Sequence, residues 1–397
     1  MTFPQIRVSA PRLRAVIVSA SLALAALAAA SVIPEFVGHL HQRVHKPHIL
    51  VSGDLVNQDC RTGICKHNEN TDLIRWGPSI FLVHRTANSQ ILGPNSSLRV
   101  SRSDDLGQHF ALQAIIQAPP DRDIRDPAFY IVGDRLYIKA LTRVPSVRFR
   151  DEETQTIAVE THSTDGVTWS PLQAIGPETW SFWRVKARDG MCYSAAYEDG
   201  DLRVDLFSSP DGEHWTHGAE IYGVSEDTPL ETELVFMPSG RLLGLVRMDG
   251  TDFELLGNRG RLRTKVCWAE PPYDAFECPQ ELNGVRLDGP VAFFSEGRLF
   301  VIARKHIIGP EVRKRTALYE ITGQLEGGPI EAVEWGELPS AGDTSYAGVA
   351  PIGHDRFLAT WYSSPLAGDP GWIEGFLGQT DLWWATIQLA RLPSQPR

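Results

Sequence analysis

Long helical patterns are scarce in this 397-residue chain after residue 45, which argues against a helix bundle or an alternating α/β sheet as its main architecture. No phosphate-cradling glycine loop, HExxH pair or CxxC pair occurs. The common signatures of nucleotide, zinc-protease and thiol-redox chemistry are therefore missing. Positive charge is in short supply: 38 Lys and Arg stand against 49 Asp and Glu, for a net charge of -11. That balance speaks against a general affinity for nucleic acid. Cysteine is sparse, at five residues. Cys60 lies close to Cys65 and Cys267 close to Cys278, so two local disulfides are expected in an oxidising compartment. Cys192 is left over and reads as a buried small apolar residue. No cysteine spacing suits a metal site, and no cofactor is expected.

What the chain does have is apolar sequence in short runs, broken by Gly, Pro, Asp and Ser. This pattern favours an all-β architecture. One longer apolar run stands apart. Residues 15–33 follow Arg7, Arg12 and Arg14 and carry small residues at 28–31. They read either as a cleaved export signal or as a hydrophobic helix tethering the chain to a membrane, since about 19 residues just suffice to span a bilayer. Either reading exports the remainder, so the protein is expected to be secreted, periplasmic or membrane-anchored. Residues 1–33 are assigned to that signal or anchor, 34–45 to a linker and 46–397 to a single folded domain.

Within that domain one pattern recurs: an apolar strand, a tight turn and a second apolar strand. Clear copies span 231–247 and 289–304, and another opens at Asp126. Weaker ones cover 181–197, 346–362 and 72–85. After three of the hairpins comes a Ser-x-Asp turn followed by an aromatic: Ser103, Asp105, Gly107 and Phe110; Ser163, Asp165, Gly166 and Trp169; Ser209, Asp211, Gly212 and Trp215. In such a turn the Asp accepts backbone amides, the Gly takes a left-handed conformation and the aromatic fills the space between sheets. These turns are structural. Two hairpins per repeat make a four-stranded blade, and starts about 55 residues apart predict a six-bladed β-propeller. The strand at 382–389 is expected to help close the ring.

Strand direction alternates within a blade, so first-strand starts and second-strand ends share one end of the axis. Aligned without gaps, those positions hold Glu69, Arg125, Ser181, Glu231, Asp288 and Tyr346 in one set, and Arg85, Leu141, Tyr197, Arg247, Arg304 and Tyr362 in the other. Unpaired charge is expensive to bury, so so ionisable a ring marks a site. Arginines there suit recognition of a carboxylate. A carboxylate beside Tyr346 would activate a phenol whose ordinary pKa of about 10 makes it a poor nucleophile.

These residues resemble the sialidase (neuraminidase) superfamily, in particular a bacterial exo-α-sialidase-like subgroup. The Ser-x-Asp turns carry the likeness, together with the stretches at 67–74, Arg125-Asp126-Pro127, Trp183-Arg184, Glu231-Thr232, 338–346 and 361–364. The resemblance implies a glycosidase in which Tyr346 is the nucleophile and Glu231 its base. It also implies an arginine cluster of Arg247 and Arg304, with Arg85 or Arg125 as third member. The chain departs from the family in lacking the Arg-Ile-Pro motif of the first blade and the Glu that follows the tyrosine strand, where Trp361-Tyr362-Ser363 stands. No Asp closely follows Arg85, so Asp72 and Asp126 are the candidates for the general acid. His67 and Arg184 are further substrate-binding candidates, and Glu233 is a reserve base. Asp343 is a candidate site residue that also suits a turn cap. Trp183 suits stacking on a sugar or a place in the core. The expected substrate is a glycan or glycoconjugate from which a terminal, acidic sugar is released with retention. The alternatives are a two-carboxylate glycosidase acting on a neutral glycan, or a carbohydrate-binding propeller without catalysis.

Overall fold

The computed structural model describes residues 44–53, 59–146, 155–198, 202–223, 227–249, 262–309 and 311–389. The apolar run at 15–33, read from the sequence as a helix, lies outside them. Among the described residues no helix is long and apolar enough to cross a membrane.

The described residues begin with β1 (Val44–Val51) and form six four-stranded antiparallel sheets. Blade 1 holds β2 (His67–Trp76), β3 (Ser79–Ala87), β4 (Ser97–Ser103) and β5 (Ala111–Gln117). Blade 2 holds β6 (Asp123–Val132), β7 (Arg135–Arg143), β8 (Ile157–Ser163) and β9 (Gln173–Ala174). Blade 3 runs through β10 (Trp180–Arg188), β11 (Met191–Glu198), β12 (Val204–Ser209) and β13 (Thr216–Tyr222). In blade 4 come β14 (Thr228–Phe236), β15 (Leu242–Asp249), β16 (Arg263–Ala269) and β17 (Glu277–Asn283), and in blade 5 β18 (Asp288–Ser295), β19 (Arg298–Ile307), β20 (Arg313–Gly323) and β21 (Ile330–Leu338). The last blade joins the two ends of the described chain. Its order is β22 (Thr344–Gly353), β23 (Arg356–Ser363), β24 (Asp381–Gln388) and then β1 on the outside. Closure is thus made by β1 on β24, and the strand at the C-terminal side is third in the blade rather than outermost. A short helix, α1 (Trp372–Leu377), sits between β23 and β24.

The core lies between blades rather than within one. Phe81, Val83 and Val100 of blade 1 pack with Phe129, Ile138 and Val159 of blade 2, and Leu243, Leu245 and Val266 of blade 4 with Leu299, Val301 and Tyr319 of blade 5. The Ser-x-Asp turns lock this arrangement. Ser163 Oγ accepts from Gly166 N at 2.8 Å, and Asp165 Oδ1 accepts from Val167 N at 2.8 Å and Thr168 N at 2.7 Å. Gly166 (φ 74) lies so close to blade 1 that a Cβ would come within 2.4 Å of the Phe81 ring. No other residue fits there without displacing that ring. Trp169 and Trp215 fill the gaps beside these turns. The expected disulfides Cys60–Cys65 and Cys267–Cys278 are both formed, and Cys192 is free and buried.

Every innermost strand breaks register at the same place near its start. The breaks fall between Glu69 and Thr71, Arg125 and Ala128, Phe182 and Val185, Pro229 and Thr232, Asp288 and Val291, and Ser345 and Gly348. A bulge of this kind re-aims a side chain. In blade 6 it also corrects the gapless alignment. A second irregularity between Pro351 and Gly353 takes up one residue, so Ser345, not Tyr346, pairs with Tyr362. Tyr346 is consequently the bulge residue itself, equivalent to Asn70, Asp126 and Gly289, all of which have φ between 48 and 55.

Candidate active site

At the end of the axis where first strands start, buried side chains change from apolar to ionisable. Tyr346 stands at the centre. Its backbone is left-handed (φ 48), and Ser345 before it has φ 96. Such conformations cost about 1–3 kcal/mol and persist where the surroundings hold them. Gly289 lies beneath the ring so closely that a Cβ would come within 2.8 Å of it. Trp183 meets the ring edge-on with centroids 5.9 Å apart, and the Arg304 guanidinium carbon lies 4.9 Å from the ring centroid.

The phenol so held donates a hydrogen bond to Glu231 Oε1 at 2.6 Å. Arg247 Nη1 reaches both the phenol oxygen, at 3.3 Å, and Glu231 Oε2, at 2.6 Å. Burial raises the Glu231 carboxyl above its ordinary range, with Arg247 opposing. Burial, then the Glu231 charge, pushes the Tyr346 phenol well above 10. The proton therefore rests on the phenol, beside an acceptor of raised basicity. Arg247 is itself held by Asp249 at 2.8 Å and Asp288 at 3.2 Å. Burial opposes its charge, but Asp249, Asp288 and Glu231 keep it cationic far above its usual range. Behind it, Asp288 receives Arg286 at 2.8 Å and pairs with His306 at 2.7 Å. Arg304 donates to Thr344 O at 2.7 Å, to the Tyr362 hydroxyl at 2.6 Å and to Asp343 at 3.2 Å.

Beside Tyr346 opens a narrow cleft whose wall contains Asn70, Asp126, Lys139, Trp183 and Arg184. Asp126 brings the carboxylate to this wall. Its Oδ1 accepts from Asn70 Nδ2 at 2.6 Å, and Oδ2 lies 3.6 Å from Arg125 Nε. Arg125 also pairs with Asp123 at 3.7 Å. Asp72 is placed differently. Its Oδ1 receives Arg184 Nη1 at 2.6 Å and its Oδ2 the Phe129 amide at 2.7 Å, so both oxygens are occupied. Arg184 further donates to Ala347 O at 2.6 Å.

The structure thus brings Tyr346, Glu231, Arg247, Arg304, Arg125, Asp126, Arg184 and Asp72 around one cleft and its floor. Arg85 and His67 do not line it. Arg85 is fully buried between Glu69 and Asp123, the latter at 2.8 Å. His67 is buried at the start of β2, where desolvation and then Arg85 push it down to about 3, so it stays neutral. Glu233 faces away from the tyrosine, taking Lys186 at 2.6 Å and the Ala292 amide at 2.8 Å. Asp343 supports Arg304 and accepts from the Tyr362 hydroxyl at 3.1 Å.

Two wall residues were missed in the sequence reading, Lys139 and Asn70. Lys139 Nζ donates to Asp126 O at 2.9 Å and Phe182 O at 2.7 Å, tying blade 2 to blade 3. Burial pushes it down to about 7, with Asp126 opposing. The signal was present: four residues into the second strand, blades 1 and 5 carry Val83 and Ile302 where blade 2 carries Lys139. Asn70 follows Glu69 as Asp126 follows Arg125, a correspondence present in the alignment and given its meaning by the shared bulge.

No known family profile matches the chain, and no curated protein does. Solved structures do match. A protein of unknown function from Dyadobacter fermentans superposes with a TM-score of 0.64 at 15% identity, covering 90% of this chain and 100% of its own. Trypanosoma rangeli sialidase, in complex with 2,3-difluorosialic acid as a covalent intermediate, gives 0.59 at 13% identity over 86% of this chain. The chain spans only 58% of that enzyme. Penicillium chrysogenum α-L-arabinanase, complexed with arabinobiose, gives 0.57 at 13% identity over 87% of this chain and 98% of its own. At these identities the shared feature is the fold: the chain is a six-bladed β-propeller of the architecture found in sialidases and related glycosidases.

Proposed function

We propose that this protein is a retaining glycoside hydrolase with Tyr346 as nucleophile, Glu231 as its base and Asp126 as general acid. The observation that carries the reading is the 2.6 Å hydrogen bond from the Tyr346 phenol to Glu231 at the edge of the cleft. A neutral phenol with an adjacent buried carboxylate is a nucleophile and base within hydrogen-bond reach, and a tyrosine nucleophile is a known glycosidase solution. The likeness to a sialidase described as a covalent intermediate agrees with this chemistry.

In the first step the phenol oxygen bonds to the anomeric carbon, Glu231 takes the phenol proton, and Asp126 gives its proton to the departing glycosidic oxygen. In the second step water attacks the anomeric carbon from the vacated side. Asp126 now takes a proton from that water, and the phenol leaves with the proton returned by Glu231. Asp126 suits the acid role better than Asp72 because it lines the cleft, whereas both Asp72 oxygens are engaged. Arg247, touching both partners, orients the pair and steadies charge passing between them.

The test is a panel of aryl glycosides of graded leaving-group acidity, assayed with wild type and with Asp126→Asn. Asp126→Asn is expected to lose about 10²–10⁴-fold in kcat/KM on poorly acidic leaving groups and far less on a dinitrophenolate, which leaves without a proton. An equal loss across the panel would remove Asp126 from the acid role. Export of the chain through residues 1–33 is proposed as well. The two formed disulfides support it, and the N-terminal sequence of protein recovered from an exporting host tests it.

A further inference from the structure

The guanidiniums around the cleft are already engaged. Arg247 meets three carboxylates, Glu231, Asp249 and Asp288. Arg184 is bonded to Asp72 and Arg304 to Asp343, and Arg125 lies between Asp123 and Asp126. A substrate carboxylate is bound tightly where a guanidinium offers its paired donors. Here it would have to share each guanidinium with the protein carboxylate already paired to it, which weakens the gain from binding. The ammonium on the wall, Lys139, gives hydrogens to two backbone carbonyls. Burial lowers it to about 7, with Asp126 opposing, so its charge is held weakly there.

Asn70 adds a separate requirement, for a hydroxyl donor. Its side chain is on the cleft wall, the residue is 4% exposed, and its Oδ1 has no hydrogen-bond partner among the described residues. The bond from Nδ2 to Asp126 fixes which end of the amide is the acceptor. An unmet buried acceptor calls for a donor. A sugar hydroxyl is such a donor, whether or not the sugar also carries a carboxylate.

We infer that the sugar seated against Tyr346 is uncharged: a neutral monosaccharide unit giving a hydroxyl hydrogen to Asn70 Oδ1, not a carboxylate-bearing sugar. The inference rests on the glycosidase reading of this cleft and narrows its substrate class.

Matched pairs test it: aryl glucosides and galactosides against the corresponding glucuronides and galacturonides, with an aryl sialoside added. Hydrolysis is measured with wild type and Tyr346→Phe. Binding of the free sugars is measured in parallel by ligand-observed NMR on the wild type. At least one neutral sugar is expected to be bound, and its glycoside cleaved, at least tenfold better than its acidic counterpart. Asn70→Ala should weaken that binding, with Asn70→Asp as a second variant of nearly equal size. Preference for an acidic member overturns the inference, and if Tyr346→Phe abolishes that activity the glycosidase reading survives alone. Neutral binding without hydrolysis keeps the inference and defeats the catalytic reading. No binding of any neutral sugar overturns the inference outright.

Discussion

Gly166 and Gly289 use one steric device at opposite ends of the same propeller. Each has a positive φ, 74 and 55, and each lies directly against an aromatic ring of a neighbouring blade. Under Gly166 the ring is Phe81, part of the core between blades 1 and 2. Over Gly289 the ring is Tyr346, whose hydroxyl points at Glu231. The turn end repeats itself: Ser103, Ser163 and Ser209 make the same bonds to Asp105, Asp165 and Asp211. The site end repeats its backbone, with a bulge in all six innermost strands, while the bulge residue changes, from Asn70 and Asp126 to Gly289 and Tyr346. Repetition marks what the ring of blades needs in order to close. Variation on a repeated backbone marks where the surface has been put to a particular chemical use.

The largest effect expected from breaking this contrast is at the ring itself. Tyr346→Phe removes one hydroxyl and its bond to Glu231. It should lower kcat/KM by more than about 10³-fold while shifting stability by only about 1 kcal/mol, as read by steady-state assay and by denaturant unfolding. Next comes Gly289→Ala, whose methyl pushes the ring aside. A misplacement of about 1 Å can cost about 10²-fold in rate, so kcat should fall to that degree with the fold intact by circular dichroism. The paired change Gly166→Ala should do the reverse. It overpacks the Phe81 contact at a cost of about 1–3 kcal/mol in stability, and kcat should be unchanged.

Acid should separate the two ends more gently. Burial holds His67 and His84 down at about 3, against 6.5 for the free side chain. Their folded pKa values lie below the unfolded ones, so the stability they contribute is present above 6.5 and is lost as pH falls from 6.5 toward 3. Backbone bonds, first from Thr168, hold Asp165 at about 2 against 3.8, so its contribution is lost only as pH falls from 3.8 through 2. The raised carboxyls of Glu69 and Glu160, at about 7, act in the opposite sense, so calorimetry at pH 7, 5 and 4 should compare wild type with His84→Leu, in which the acid loss of midpoint should be smaller. The acid limb of kcat/KM should lie above the ordinary carboxylate range, because Glu231 must be ionised to accept the phenol proton and burial raises its pKa.

The repeat was legible because the turn end is local. A Ser, an Asp and a Gly within four or five residues make their bonds with one another, so three copies in step with the hairpins marked the repeat, and six hairpin starts about 55 residues apart set the blade count. The outer strand of the last blade was not legible: β1 has a mostly exposed, unalternating pattern and pairs only with β24, across almost the whole chain. At the site end, strand direction and the gapless alignment put Tyr346 and Glu231 in one ring and the sialidase resemblance paired them, although the register of blade 6 was off by one for want of a visible bulge. The engagement of the arginines was half legible. Arg247 with Asp249 and Arg286 with Asp288 stand two apart on one strand face or at its edge, a spacing that puts side chains together. The longer pairs, such as Arg184 with Asp72, join residues from different blades and leave no trace in either segment. Lys139 escaped because a lysine amid apolar strand residues reads as a solvated edge unless the blades are compared position by position.

The central claim, that the Tyr346 oxygen forms the bond to the sugar, is tested most directly by trapping. A 2-deoxy-2-fluoro glycosyl fluoride of the sugar that the enzyme cleaves slows the second step, and peptide mass spectrometry then locates the adduct. The expected result is one sugar on the peptide containing Tyr346 and none on Tyr346→Phe. An adduct on Glu231 or Asp126, or turnover with inverted product and no adduct, would contradict it.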